Sequence, residues 1–281
     1  MILALDVGNT NITVGCITDG DAAPCVCADE VIETEQARLN PPVCSDITHV
    51  FRISTNIART ADEYAIQINN MLQFQGIKRN SIVGAVISSV VPPLTSTFKN
   101  AVRQLAGVEP IIVGAGVKTG LNILIDDPAQ LGGDMVATAV GAIAKKSLPA
   151  IVVDFGTATK MFVINQNGSF IGGAILPGVA LSMNALAAGT SQLPRIPIEA
   201  PLKSISTNTI DCIKSGVIFG AASAIDGMVE RYEAELGQQA LVIATGGLAE
   251  SVYKHCKHEI VYDPHLILHG LSLIYEKNKR K

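Results

Sequence analysis

A short phrase occurs twice in this chain, about half its length apart. Residues 5–10 read Leu-Asp-Val-Gly-Asn-Thr, and residues 153–159 read Val-Asp-Phe-Gly-Thr-Ala-Thr. Each copy follows an apolar run and leads into another, a pattern that predicts two strands joined by a tight turn. Glycine permits a turn that a side chain would obstruct. The sequence therefore predicts two related β-hairpins, each with an aspartate near its turn.

The residues around each turn suit the binding of a phosphate group. Thr and Asn side chains and exposed backbone N–H groups can surround an anion. Asp6 and Asp154 cannot bind a phosphate directly, but each can hold a cation that bridges to one. A single turn of this kind is a weak signal, because Asp, Gly and Thr are common in hairpins for conformational reasons. The duplication strengthens the prediction, and two facing hairpins would line both walls of a cleft.

A third segment, residues 241–249, reads as a strand that runs into Gly246-Gly247. Two adjacent glycines allow a flat ring to lie close to the backbone. A plain strand-to-helix connection explains the same residues, so the segment favours a nucleotide site only together with the hairpins.

The composition indicates a folded protein with room for two domains. Of its 281 residues 48% are hydrophobic and 16% charged, which argues strongly against disorder. Aromatic residues are 4% of the chain and Trp is absent, so stacking platforms for nucleic acid are not expected. The net charge is −4, from 21 basic and 25 acidic residues, and the only basic cluster is the tail 277–281. We therefore expect no nucleic-acid partner.

The chain is expected to be cytoplasmic and to have no membrane partner. Its apolar stretches are too short for the ~20 residues that cross a bilayer, and its first residues enter a strand without a basic segment, unlike a signal peptide. Six cysteines should then be reduced. Cys25, Cys27, Cys44 and His49 could hold a zinc ion, but the C-x-C spacing is unusual and thiols in a surface loop are the favoured alternative.

The order of apolar patterns predicts an α/β fold in two halves, residues 1–125 and 126–281, with a polar inserted loop at about 20–48. Within that loop a short helix is predicted at 32–39. Thr60 and Glu63 have the spacing of a helix capping box. Further strands are predicted at 50–54, 81–89 and 110–113, and further helices at 94–105, 129–147, 179–188, 208–236 and 246–255.

Nine phrases, in this order over nearly the whole chain, resemble the type III pantothenate kinases of the acetate and sugar kinase/Hsp70/actin fold. They lie at residues 6–10, 52–55, 59–65, 87–92, 116–121, 154–159, 172–178, 190–195 and 244–249. The resemblance implies an α/β fold of two duplicated ribonuclease H-like domains with a cleft between them. It also implies transfer of the γ-phosphoryl group of ATP to the primary hydroxyl of pantothenate, the first step of coenzyme A biosynthesis.

The resemblance assigns the two hairpins to nucleotide and cations. Asp6 would serve the Mg²⁺–ATP end, Asp154 would bind a monovalent cation (K⁺ or NH₄⁺), and Thr157 would touch ATP. The turn that would hold the phosphates consists of Val7, Gly8, Asn9, Thr10, Asn11, Ile12 and Thr13.

The resemblance assigns the acceptor to a second group of residues. Gly132, Gly133, Asp134 and Met135 match a Gly-Ala-Asp-Arg segment that supplies the general base, Asp134, and part of the pantothenate site. Thr190 matches a substrate contact. Taken alone, Asp134 is typical of an acid at a helix N-terminus. Relatives are homodimers, and the apolar helix around 217–229 is expected to face the partner.

Two single residues and one three-residue segment depart from the family pattern. Met135 replaces an Arg and offers no donor to a polar substrate, Ile125 replaces a Tyr, and Lys160-Met161-Phe162 replaces Thr-Phe-Asp. The sequence does not decide whether Lys160 points into the cleft or to solvent. Because the nucleotide side is intact and the acceptor side altered, two alternatives stay open: a kinase for another small hydroxyl compound, or a non-catalytic, regulatory relative.

Overall fold

The structure is a computed structural model and describes residues 1–18, 47–188 and 196–279. The helix predicted at 32–39, the cysteines at 25, 27 and 44, and Thr190 lie outside the described residues.

Eleven strands are formed by the described residues: β1 Ile2–Val7, β2 Asn11–Ile17, β3 Ile47–Ser54, β4 Gly84–Ser89, β5 Ile111–Ile112, β6 Asn122–Ile123, β7 Ala150–Phe155, β8 Ala158–Ile164, β9 Ser169–Pro177, β10 Leu241–Thr245 and β11 Val261–Tyr262. The same residues form six α-helices: α1 Ala61–Phe74, α2 Pro92–Ala106, α3 Gly133–Ala144, α4 Val179–Ala188, α5 Thr209–Leu236 and α6 Leu266–Asn278.

Two sheets share one strand order. The first runs β3-β2-β1-β4-β5, and the second runs β11-β10-β7-β8-β9-β6. Without the edge strand β6, and taken in the opposite direction, the second sheet is β9-β8-β7-β10-β11, the order of the first. In the first sheet β1 and β2 form an antiparallel hairpin, and β1 is parallel to β4. In the second sheet β7 and β8 form the corresponding hairpin, and β7 is parallel to β10. The expectation of two duplicated ribonuclease H-like domains is thereby confirmed.

The chain divides into two compact units that are interleaved in sequence. Unit 1 comprises Met1–Leu121, Asp127–Lys146 and Leu266–Lys281, and unit 2 comprises Asn122–Asp126 and Ser147–His265. Helices α3 and α6 belong to unit 1, where they pack together at small residues. A Cβ atom on Gly270 would collide with the Ala137 carbonyl oxygen. The sequence-based division at 125/126 instead places both helices in the second half.

The core of unit 1 lies between its sheet and helices α1 and α2. Thr60 caps α1: its side chain accepts from Glu63 N, and Glu63 Oε2 accepts from Thr60 N at 2.7 Å, which confirms the predicted capping box. Tyr64 is fully buried and packs against Phe98, with ring centroids 4.4 Å apart. The capped helix thus fixes an aromatic pair beneath the sheet.

Two sequence predictions differ from the structure. The helix predicted at 246–255 is instead a pair of 3₁₀ turns, Ala249–Ser251 and Tyr253–His255, because Gly246 has φ +96° and Val252 leaves helical geometry at φ −120°. Helix α6 was not predicted, and its residues Leu266, Leu268, Leu271 and Ile274 are buried.

The longest helix, α5, is a core element of unit 2. By length and apolar composition alone it could cross a membrane. However, Ile218, Ile225 and Val229 are almost completely buried in the hydrophobic core of this unit. The predicted partner face at 217–229 is therefore wrong for these side chains, because they already pack within the unit.

Candidate functional site

The first hairpin presents a polar turn at its end. Asp6 pairs with Thr13 across the β1/β2 ladder, and Gly8 N donates to Asn11 O at 3.1 Å to close the turn. A Cβ atom on Gly8 would lie 2.9 Å from that oxygen, which explains the glycine. Asn9, Thr10 and Asn11 are exposed, so their side chains and backbone can reach a ligand.

Residues that follow β3 hold this turn in place. Thr55 N donates to Thr10 O at 3.0 Å, and Thr55 Oγ1 donates to Gly8 O at 2.7 Å. The next residue, Asn56, is bound on both its N–H and its carbonyl by the Tyr64 hydroxyl, each at 2.9 Å. Thr55 and Tyr64, one from each of the phrases at 52–55 and 59–65, therefore position the predicted phosphate turn.

Asp6 lies beside Ser88 on the parallel strands β1 and β4. Paired residues on neighbouring strands point to the same face of a sheet. Ser88 is fully buried, and its Oγ has no hydrogen-bond partner among the described residues. Leaving a buried hydroxyl unsatisfied costs about 1–3 kcal/mol, so Ser88 is a candidate binding residue. The sequence analysis missed it, although its place at the carboxyl end of a buried strand is a usable signal.

Helix α3 begins against the same strand ends. A Cβ atom on Gly133 would lie 3.2 Å from Val113 O and 3.4 Å from Ser88 Oγ, so glycine permits this close approach. The next residue, Asp134, is partly exposed, and its Oδ1 accepts from Met135 N at 2.8 Å. Asp6, Ser88 and the start of α3 therefore meet at one edge of the unit 1 sheet.

The second hairpin, in unit 2, contains an ion pair. Asp154 pairs with Lys160 across the β7/β8 ladder, and Lys160 Nζ lies 2.7 Å from Asp154 Oδ2, with both side chains 20% exposed. Gly156 N donates to Ala158 O at 3.2 Å in the turn, and Thr157 is exposed. The Lys160 side chain, whose direction the sequence leaves open, thus points towards the Asp154 carboxylate.

The Gly-Gly segment lies against this hairpin. A Cβ atom on Gly246 would lie 2.7 Å from Asp154 Oδ1, and Leu248 N donates to Phe155 O at 3.2 Å. The positive φ of Gly246 and this close approach both require glycine. The Gly-Gly segment therefore packs against Asp154.

The acceptor residues are less completely defined. Met135 is partly exposed at the start of α3, and Ile125 is partly buried in unit 2. Among the described residues there is no group of three or more His, Cys, Asp or Glu side chains that could hold a metal. A cation at Asp6 would therefore take its other ligands from backbone, water or phosphate oxygens.

Two sheets of one strand order, each with an aspartate near the end of its first strand, define the acetate and sugar kinase/Hsp70/actin class of fold. Solved structures agree. A Campylobacter jejuni protein named as a Baf family transcriptional activator matches with a TM-score of 0.59 at 19% identity, covering 98% of each chain. A Sinorhizobium meliloti protein named as a 2-dehydro-3-deoxygalactonokinase matches with a TM-score of 0.56 at 11% identity, covering 100% of this chain and 98% of the other. At these identities the likeness shows the fold alone.

Sequence relatives are more specific. The model of the type III pantothenate kinase family matches residues 2–231. The type III pantothenate kinase of Halalkalibacterium halodurans is 40% identical over 278 residues, covering 99% of this chain and 100% of the relative. That of Moorella thermoacetica is 36% identical over 278 residues with the same coverage. The chain belongs to the type III pantothenate kinase family.

Proposed function

We propose that this protein transfers the γ-phosphoryl group of ATP to the primary hydroxyl of pantothenate, the first step of coenzyme A biosynthesis. Identity of 40% to a type III pantothenate kinase over essentially the full length supports the activity. The observation that carries the assignment of residues is the meeting of Asp6, Ser88 and the start of α3 at one edge of the unit 1 sheet.

The residues at this edge fit Mg²⁺ bound to ATP phosphates. Mg²⁺ prefers one or two carboxylates together with phosphate and water oxygens. Asp6 supplies a carboxylate, and the buried Ser88 hydroxyl, without a partner among the described residues, can bind a water of the ion. Within the turn from Val7 to Thr13, the exposed residues Asn9, Thr10 and Asn11 supply amide and hydroxyl groups for the phosphates. Mg²⁺ would neutralise the charge that develops during transfer.

Asp134 is the proposed general base. Its carboxylate takes the proton of the attacking hydroxyl as that oxygen bonds to the γ-phosphorus and the bond to the bridging β-phosphate oxygen breaks. ADP leaves with the negative charge. Thr138 Oγ1 donates to Asp134 O at 2.7 Å, and this bond, together with the first turn of α3, holds the backbone of the base.

For the acceptor we propose contacts from Gly132, Gly133, Met135 and Thr190, following the match to the family segment. Met135 carries no donor, so the polar end of the acceptor loses a charge-assisted hydrogen bond that an Arg provides. This substitution is the specific observation that favours a second candidate, a kinase for another small hydroxyl compound. In unit 2, Thr157 is exposed in its turn and is the proposed ATP contact of that hairpin.

We also propose a cytoplasmic homodimer. Helix α5 does not offer the expected apolar face, because its large apolar residues are in the core of unit 2. Other apolar side chains are exposed instead, including Ile175 at 72% and Leu181 at 49%, and a partner could cover these. Sedimentation at micromolar protein tests the dimer, and a 29.5 kDa species alone would contradict it.

A coupled assay of ADP release tests the function. Purified protein with ATP and Mg²⁺ should release ADP only when pantothenate is added. Release that is equal with and without pantothenate, or absent in both, would contradict the proposed acceptor. A panel of small alcohols and sugars in the same assay distinguishes the second candidate.

A further inference from the structure

We propose that the Lys160 ammonium group replaces the monovalent cation at Asp154, so that this enzyme works without K⁺. The proposal rests on the proposed kinase function and concerns the positioning of charge in the second hairpin. It replaces the K⁺ or NH₄⁺ site that the sequence resemblance implies.

The register of the hairpin places the charge. Asp154 and Lys160 are directly opposed on the antiparallel strands β7 and β8, and opposed side chains point to the same face. Lys160 Nζ contacts Asp154 Oδ2 at 2.7 Å, a distance typical of a charge-assisted hydrogen bond. Both side chains are only 20% exposed, so solvent screens this pair less than an ion pair at the open surface.

The same carboxylate is approached from two sides, by the Gly246 backbone and by the Lys160 ammonium group. The Gly246 backbone lies close to Asp154 Oδ1, since a Cβ atom there would be 2.7 Å from it. On the Oδ2 side stands the ammonium group. A K⁺ ion at this carboxylate would face a like charge at short range. The residues present therefore do not fit a bound monovalent cation.

The first hairpin provides an internal comparison. Asp6 is opposed by Thr13, at the register position that Lys160 occupies opposite Asp154. A threonine hydroxyl carries no charge, so the residue opposite Asp6 supplies none. In the second hairpin the chain itself supplies one positive charge. The two copies of one motif thus differ in the charge of the residue opposite the aspartate.

A tethered ammonium group has a predictable consequence. It is present at every K⁺ concentration, so the activity should not follow the concentration of K⁺. Its charge also offsets the carboxylate beside the turn that carries Thr157, where an uncompensated aspartate would repel a phosphate. Lys160 acts here as a positioning residue for charge, without any covalent step.

The first test compares K⁺ with a large organic cation, N-methyl-D-glucamine, at equal ionic strength. The wild-type kcat/KM for ATP should agree within about twofold between the two buffers. Lys160→Thr should lose about tenfold or more in the organic cation and regain most of it in K⁺, while Lys160→Arg should stay independent of K⁺. Lys254→Thr removes an exposed lysine of unit 2 that pairs with Glu250 at 3.0 Å and should behave as wild type.

A second readout does not depend on turnover. Addition of K⁺ should leave the Tm of the wild type unchanged relative to the organic cation and should raise the Tm of Lys160→Thr saturably. A saturable K⁺ effect on the wild-type Tm or a several-fold K⁺ activation of the wild type would overturn the proposal, as would a Lys160→Thr variant fully active without K⁺. If Lys160→Thr does not fold, the wild-type measurements decide. Loss of pantothenate-dependent turnover in every protein would contradict the function, while the Tm data still test the cation site.

Discussion

Asp6 and Ser88 lie side by side on parallel strands, and the Ser88 hydroxyl is fully buried without a hydrogen-bond partner among the described residues. Such a group lowers stability unless a ligand satisfies it. The proposed metal carboxylate thus lies beside a hydroxyl donor that no described residue uses.

Ser88→Ala should therefore separate stability from activity. The free energy of unfolding without ligand should stay equal or rise by up to about 1–3 kcal/mol, while kcat/KM for Mg²⁺–ATP falls. Ser89→Ala is the matched control on the same strand, because the Ser89 hydroxyl already has partners. Ser89 Oγ donates to Val91 O at 3.2 Å and accepts from Val91 N at 3.3 Å. Denaturant unfolding and steady-state kinetics measure both. A large loss of stability in Ser88→Ala would contradict the argument.

Gly8→Ala should impair nucleotide binding. Its Cβ atom would lie 2.9 Å from Asn11 O, so the turn must shift, and KM for ATP should rise severalfold or more. Gly216→Ala, inside helix α5 with open space around its Cβ position, should instead stabilise by about 0.5–1 kcal/mol. Titration with ATP and thermal unfolding of both variants check this. Unchanged ATP affinity in Gly8→Ala would contradict the assigned phosphate turn.

Some features of the site follow from residues close together in the chain, whereas others depend on the pairing of strands. The hairpins and the Thr60 cap follow from residues close in the chain, which is why they were predicted. Ser88 reaches Asp6 only through the parallel pairing of distant strands, and Lys160 reaches Asp154 only through the register of the hairpin. A shift of one residue in that register would turn Lys160 to the other face. Helix α6 was missed because its burial depends on packing against α3.

Acid should remove a specific contribution to stability at Asp226. Burial raises the pKa of this carboxyl, but hydrogen bonds from the His258 side chain and from the backbone N–H groups of Lys257 and His258 outweigh it and leave the pKa below its ordinary value. The pKa is thus lower folded than unfolded, so the stabilisation is complete above about pH 5 and is lost as pH falls through the folded pKa.

Asp226→Asn tests this contribution. At pH 7 it should lower the free energy of unfolding by about 1–3 kcal/mol, and the difference from wild type should shrink as pH falls to about 3. Urea unfolding as a function of pH measures both. An equal difference at pH 7 and at pH 3 would show that the charge of Asp226 is not responsible.

Met135→Arg tests the acceptor. If pantothenate is the substrate, the added donors should lower its KM by up to about tenfold, since a hydrogen bond to a charged group contributes about 1.5–3 kcal/mol. Ile66→Arg, at a position on α1 that is 60% exposed, is the control and should leave KM unchanged. A Met135→Arg variant with unchanged or higher KM would favour an acceptor other than pantothenate.

The most direct measurement quantifies ADP and phosphorylated pantothenate together for wild type, Asp134→Asn and Asp62→Asn. Asp62 and Asp134 both lie in the first turn of a unit 1 helix, so the two variants remove the same kind of helix-end charge. In wild type and in Asp62→Asn, the amounts of ADP and of phosphorylated pantothenate should be equal. Asp134→Asn should be slower by about 10²–10⁴-fold with ATP binding retained. Equal rates in the two variants, or ADP release without phosphorylated pantothenate in the wild type, would contradict the account.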